Sequence, residues 1–167
     1  MSNPQSTAKI AGHPLHPMIV PFPIAFFATT LACDLAFWIT ANPRWPTAAL
    51  WLLGAGIIMA LIAALGGITD FLGDRRIRDL NAAWWHFLMN LALVVIEAVN
   101  WVMRFEGGDR VILPAGIVLS FVAVCVMLFT GWKGWEMVYR HRVGIAESDE
   151  EAMLHSANLS RRSDHAA

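Results

Sequence analysis

Four long apolar blocks dominate the chain, and polar, charged or proline-containing residues separate them. The blocks run roughly over 21–40, 47–72, 82–103 and 111–133, and the pattern of the last one continues towards His141. A spanning helix needs about 20 mainly apolar residues to cross a hydrocarbon core of about 30 Å. The blocks do not alternate apolar with polar residues, which argues against strands. The pattern therefore predicts an all-α fold, an integral membrane four-helix bundle with up-down topology.

The segment before the first block is rich in proline. Pro14, Pro17, Pro21 and Pro23 lie within ten residues of one another. Proline has no amide proton and its ring clashes with the preceding turn, so it interrupts helices, although it is tolerated in a first turn. We therefore expect an irregular Pro-rich lead-in before the first helix, which should begin near Pro21 or Pro23.

Composition agrees with a membrane protein. Hydrophobic residues make up 57% of the 167 residues and charged residues 15%, whereas soluble domains have about 45–50% and about 25%. We predict three segments: a flexible N-terminal segment over 1–11, a four-span membrane domain over 12–145, and a polar C-terminal tail over 146–167 that is either a short helix or disordered.

Charge distribution predicts the orientation in the membrane. The net charge of −1 gives no indication of nucleic-acid binding. With four spans, both termini and the middle loop share one side. That side carries nine of the twelve basic residues, and the other side carries only Arg44, Arg104 and Arg110. By the positive-inside rule, both termini are expected in the cytoplasm.

A polar stripe runs along the third block. Its members are spaced by four, seven, three and four residues: His86, Asn90, Glu97, Asn100 and Arg104. On a helix they fall within about 40° of one direction. Polar groups inside spans usually face the interior of a bundle. This face of the third helix should therefore point inward.

Depth divides the polar groups of the spans into two layers. The layer on the cytoplasmic side is expected to contain His13, His16, Asp70, His86, Glu136 and His141. The outer polar layer is expected to contain Asp34, Glu97, Asn100 and Arg104. In the outer layer, either an acidic side chain pairs with Arg104 or one of them is protonated.

The histidines suggest cofactor binding. Imidazoles bind haem iron and transition metals, so His13, His16, His86 and His141 are candidate ligands of haem b or of a metal ion. For haem, His86 with either His16 or His141 is the natural pair. Second-shell partners of the histidines would be Asp70, Asn90 and Glu136. This interpretation implies a redox or electron-transfer role.

Structural interpretations of the same residues stay open. His13 and His16 could hydrogen-bond the lead-in, and His141 could be a cation at a helix C-terminus, where the helix dipole favours it. Glu136 has Lys133 and Arg140 at helical spacing.

Two further functions also stay open: an accessory or structural subunit of a membrane complex, and a proton or small-ion pathway along the stripe. Expected partners are the lipid bilayer and either copies of the chain or other subunits. The chain has no nucleophile elbow, zinc-protease motif or phosphate-binding loop, so an enzyme is not favoured and no catalytic residue is assigned.

Several motifs resemble one known family. They are Gly12-His13-Pro14-Leu15-His16-Pro17, Phe22-Pro23, Asp34, Gly67-xx-Asp70, His86-xxx-Asn90 and Gly131-xx-Gly134-xx-Met137-Val138-Tyr139-Arg140-His141. Together they resemble the bacterial integral membrane family called domain of unknown function 2231, over about residues 10–145. The resemblance implies a multi-pass protein of the bacterial cytoplasmic (inner) membrane. It implies no activity.

Overall fold

The computed structural model describes residues 3–145, 153 and 157, so almost all of the predicted polar tail lies outside the described residues. The first elements are a short antiparallel hairpin of β1 (Lys9–Ile10) and β2 (His13–Pro14), followed by helix α1 (Leu15–Ile19). The expected irregular lead-in is thus only partly correct. Pro17 lies in the first turn of α1, where amides need no partner within the helix, so it does not prevent this short helix.

Long helices follow the four apolar blocks. The remaining helices are α2 (Pro21–Thr40), α3 (Arg44–Gly73), the short α4 (Arg75–Arg78), α5 (Asn81–Gly107) and α6 (Ile117–Trp135). A π-helical turn, Glu136–Arg140, extends α6. The all-α prediction is confirmed, and α2 begins at Pro21 as expected.

Between α5 and α6 the chain turns back on itself. The connection consists of a 3-10 turn (Gly108–Val111) and a π-helical turn (Ile112–Gly116), and its backbone is not helical at Gly108 (φ 60°, ψ −147°) or at Leu113 (φ −111°, ψ 123°). Three helical stretches of the described chain are long and apolar enough to cross a membrane, and the third covers 60 residues, Asn81–Arg140. A straight helix of that length would be about 90 Å long. The breaks at Gly108 and Leu113 instead divide it into two antiparallel segments.

Contacts at one end of the bundle define the helix directions. His16, just before α2, bonds to Ala63 late in α3, and His86, early in α5, bonds to Thr130 late in α6. The His16 and His86 rings also contact each other. Hence α2 and α5 run one way and α3 and α6 the other, which is the up-down arrangement. We call this end, with His16 and His86, the proximal end and the opposite end the distal end.

The outer surface of the bundle is apolar. Large side chains on all four long helices are exposed, among them Trp38 (65%), Trp51 (76%), Phe105 (67%) and Leu128 (70%). A soluble protein rarely exposes large contiguous apolar areas. In a bilayer these side chains contact lipid, so the fold is that of a membrane protein.

Candidate functional site

The His16 and His86 rings meet inside the proximal half. Their centroids are 6.0 Å apart and their planes are almost perpendicular, at 88°. His16 is supplied by α1, which the proline-rich lead-in directs into the bundle, and His86 by the polar stripe of α5. Both rings are partly buried.

Hydrogen bonds fix the tautomer of both rings. Nδ1 of His16 lies 2.8 Å from the carbonyl oxygen of Ala63, and Nδ1 of His86 lies 2.9 Å from that of Thr130. A carbonyl oxygen only accepts, so each Nδ1 carries the proton and donates it. When the rings are neutral, each Nε2 then has a lone pair, and neither Nε2 has a hydrogen-bond partner among the described residues. This is the state in which histidine binds a metal.

Asn90 and Thr130 hold the surroundings of His86 in place. The Asn90 amide donates to the Thr130 hydroxyl and to the backbone carbonyl of His86, both over 2.7 Å. The Thr130 hydroxyl in turn donates to the same carbonyl over 3.2 Å. Asn90 was predicted to support a ligating histidine. It contacts His86 through the Thr130 hydroxyl and through the backbone carbonyl of His86.

Two glycines give the rings room. A Cβ atom on Gly67 would lie 3.0 Å from Nδ1 of His16, and one on Gly134 would lie 3.1 Å from Cε1 of His86. Both distances are shorter than ordinary carbon contacts. Without side chains at these positions, α3 and α6 approach the imidazoles closely enough for their carbonyls to bind Nδ1.

His13 and His141 do not join this pair. His13 is exposed on β2, and its Nδ1 bonds to the carbonyl of Ala11 over 2.9 Å. His141 follows the π-helical turn that extends α6 and contacts neither ring. Among the described residues, no group of three or more His, Cys, Asp or Glu side chains could hold a metal ion. The expected four-histidine cluster is therefore reduced to two, because the hairpin and the helix end direct the other two rings elsewhere.

Asp70 binds the N-terminal segment instead of a histidine. Its Oδ1 accepts the backbone amides of Thr7 (2.7 Å) and Ala8 (2.8 Å) and the hydroxyl of Ser6 (2.9 Å). Asp74 accepts the amide of Gln5 over 3.3 Å. Residues 5–8, expected to be flexible, are thus bound to the end of α3, and residues 3 and 4 hydrogen-bond to residues 144 and 145. We call residues 3–8 the N-terminal strap.

Other charged groups at the proximal end also have structural partners. The hydrogen bond from the Arg76 guanidinium lowers the pKa of Asp74 to about 2. Glu136 accepts from Lys133 (2.9 Å) and Arg140 (3.3 Å), so it pairs with its own helix and not with a histidine. Asp70 and Glu136 therefore hydrogen-bond no histidine ring, in contrast to the expectation.

The distal half contains a buried ion pair. Arg104 binds Asp34 with two parallel hydrogen bonds of 2.6 and 2.7 Å, and both side chains are at most 2% exposed. Ser120 donates to Asp34 and accepts from Arg104. Asn100 accepts from Arg104 and donates to Glu97. The predicted outer layer is thus assembled as one network, and Asp34 is the acidic partner of Arg104.

An apolar cluster lies between the two polar layers. It consists of Phe27, Leu53, Leu93, Ala123 and Met127, all of them at most 8% exposed. Along α5, Leu93 lies between Asn90 of the proximal layer and Glu97 of the distal layer. No polar side chain among these five connects the layers.

Sequence reasoning missed two hydroxyl residues. Ser120 and Thr130 are the only hydroxyl side chains of α6, and each is buried in one polar layer. A Ser or Thr in an apolar helix usually hydrogen-bonds to its own backbone. Its presence in the sequence is therefore weak evidence for a polar site. Their isolation within an otherwise apolar span was the available clue.

These features define a class: a multi-span helical membrane protein with two separate polar layers inside. The family model described as predicted membrane protein (DUF2231) matches residues 12–147. The chain therefore belongs to this family, and the resemblance seen in its motifs is confirmed. No curated protein and no solved structure shows significant similarity to it.

Proposed function

We propose that this protein binds haem b through His16 and His86 and carries electrons at the proximal end of the bundle. The observation that supports this is the imidazole pair itself: two rings 6.0 Å apart, each with Nδ1 bound to a backbone carbonyl and Nε2 without a partner.

The separation matches ligation from two sides of one ion. A metal–imidazole bond is about 2 Å long, so two imidazoles on opposite sides of an ion have ring centroids on the order of 6 Å apart. The carbonyls of Ala63 and Thr130 would hold the rings in this orientation. Such outer partners also raise the basicity of a ligating imidazole.

The number of ligands favours haem over a bare metal ion. A structural zinc site needs about four protein ligands, and the described residues offer two histidines here. A porphyrin would supply four nitrogens to its iron, and His16 and His86 would supply the two remaining ligands. A haem held by two histidines would supply electron transfer rather than substrate binding.

The setting that we infer is the bacterial cytoplasmic membrane with both chain ends in the cytoplasm. Basic residues concentrate at the proximal end, as the positive-inside rule requires. The haem would then exchange electrons near the cytoplasmic surface, with a partner in the membrane or at its edge.

The test is an optical spectrum of the full chain. The protein is expressed in a host supplied with a haem precursor, purified in mild detergent, and measured first oxidised and then reduced with dithionite. We expect a red protein with a Soret band and, on reduction, sharp visible bands typical of bis-histidine haem. The pyridine haemochrome assay gives the haem content per chain.

Matched histidine variants assign the ligands. His16→Ala and His86→Ala should lose the haem bands, whereas His13→Ala and His141→Ala should keep them. Size-exclusion profiles identify variants that do not fold. A folded, colourless wild-type protein from haem-replete cells would refute the proposal, and so would loss of haem in the His13 and His141 variants only.

The other candidate functions receive less support. The apolar cluster between the layers weighs against a continuous proton or small-ion pathway. An accessory or structural role in a larger complex is not favoured by a specific contact or surface among the described residues.

A further inference from the structure

Glu97 is a fully buried carboxyl group with an incomplete set of partners. Its relative exposure is 0%, and Oε2 accepts one hydrogen bond, from the Asn100 amide over 3.0 Å. Its Oε1 is the one buried side-chain nitrogen or oxygen without a hydrogen-bond partner among the described residues. A buried carboxylate with a single neutral donor is strongly unfavourable, whereas a neutral carboxylic acid is tolerated.

No positive charge is left over for Glu97. Arg104 is the cation of the distal layer, and its guanidinium donates to both oxygens of Asp34 and to Asn100 and Ser120. The Asp34–Arg104 pair is neutral as a unit. An ionised Glu97 would therefore add an unbalanced negative charge to a dry interior.

The surrounding elements offer no other counterion. On α2 the neighbouring ionisable groups are Asp34 and Cys33, and α6 contributes the Ser120 hydroxyl. Between its two ends, from Trp45 to Thr69, α3 has no ionisable side chain. Asn100 hydrogen-bonds to both Glu97 and Arg104, so a change in the charge of one of these side chains affects the hydrogen bonds of the other.

We propose that Glu97 is a proton-binding site of the distal half, which holds a proton while Asp34 neutralises Arg104. If the Asp34–Arg104 pair opens, Asp34 takes up the proton of Glu97, and the ionised Glu97 replaces Asp34 as the counterion of Arg104. The proton exchanges with water on the distal side, because the apolar cluster blocks the proximal direction. This site is independent of the proposed haem.

Infrared spectroscopy detects the proton directly. A protonated carboxyl has a carbonyl band that is separate from those of carboxylates and amides and that shifts in D₂O. We expect this band in the wild-type protein at neutral pH and its loss in Glu97→Gln. Glu106→Gln is the control, since Glu106 is an exposed residue at the end of the same helix.

Removing Asp34 tests the exchange of counterions. In Asp34→Asn, Arg104 loses its partner, so Glu97 should ionise and the band should disappear although Glu97 is still present. Glu97→Gln mimics the protonated acid and should fold with an almost unchanged melting temperature. If the wild-type protein has no such band, or if the band persists in Glu97→Gln, the proposal is wrong.

Discussion

Each side chain in the two polar layers has a role set by its hydrogen-bond partners more than by its residue type. Four histidines lie in the described chain near the proximal end, but only His16 and His86 have Nδ1 bound to a neighbouring helix. His13 bonds within its own hairpin. Chemical identity alone therefore does not separate ligand candidates from structural histidines.

The inward orientation of the α5 stripe was predictable from spacing, because helical periodicity fixes which residues share a face. The choice of Asp34 over Glu97 as the partner of Arg104 was not. The choice depends on the rotation of α2 and α5 about their own axes. No pattern of residues along the chain reveals that rotation. The carbonyls of Ala63 and Thr130 were unpredictable for the same reason.

The buried ion pair should dominate stability at the residue scale. Arg104→Met leaves Asp34 as an uncompensated buried charge, and breaking such a pair costs about 3–5 kcal/mol. We expect a large fall in the midpoint of thermal unfolding in detergent. Arg110→Met is the control, because Arg110 is exposed at the same end. Equal midpoints for the two variants would show that the pair contributes little.

At the scale of elements, the long helices were predictable and the ends were not. Block length and hydrophobicity specify a spanning helix, so α2 and α3 match their predicted ranges closely. The N-terminal strap was expected to be flexible because its residues are polar. It is instead bound by Asp70, a contact between positions more than sixty residues apart that no local pattern reveals.

The strap gives a prediction of its own. Asp70→Ala removes the acceptor of the Thr7 and Ala8 amides. Hydrogen bonds to charged groups contribute about 1.5–3 kcal/mol, so these amides should exchange their hydrogens about 10- to 100-fold faster. Hydrogen–deuterium exchange with mass spectrometry measures this on the N-terminal peptide.

The control for the strap is Asp79→Ala, which removes an exposed carboxylate from the same end of the molecule. Exchange of the N-terminal peptide should be unchanged in this variant. If Asp70→Ala also leaves it unchanged, the strap is not anchored by Asp70.

For the whole molecule, the up-down arrangement places the α5–α6 connection and the α3–α5 connection on opposite sides of the membrane. Asp109 and Asp79 are exposed in these two connections. Single cysteines are introduced there in a background with Cys33 and Cys125 replaced by alanine. A membrane-impermeant maleimide added to intact cells should label Asp109→Cys, and it should label Asp79→Cys only after permeabilisation.

Labelling of both positions from outside would contradict the four-span arrangement. The reverse pattern would keep the arrangement but invert the orientation that the basic residues predict. The sequence predicted four spans and a histidine pair of His86 with either His16 or His141, whereas the choice of His16 required the folded chain. The orientation stays a prediction.

The apolar cluster of Phe27, Leu53, Leu93, Ala123 and Met127 offers no polar side chain that could pass a proton between the two halves of the bundle. If haem binds His16 and His86 as proposed, a proton that compensates its electron would have to come from the water at the same end. The proximal and distal polar layers would therefore exchange protons with the solutions on opposite sides of the membrane. Making the solution on the far side of the membrane alkaline should lower the proton occupancy of Glu97 and, if haem binds as proposed, leave its midpoint potential unaltered.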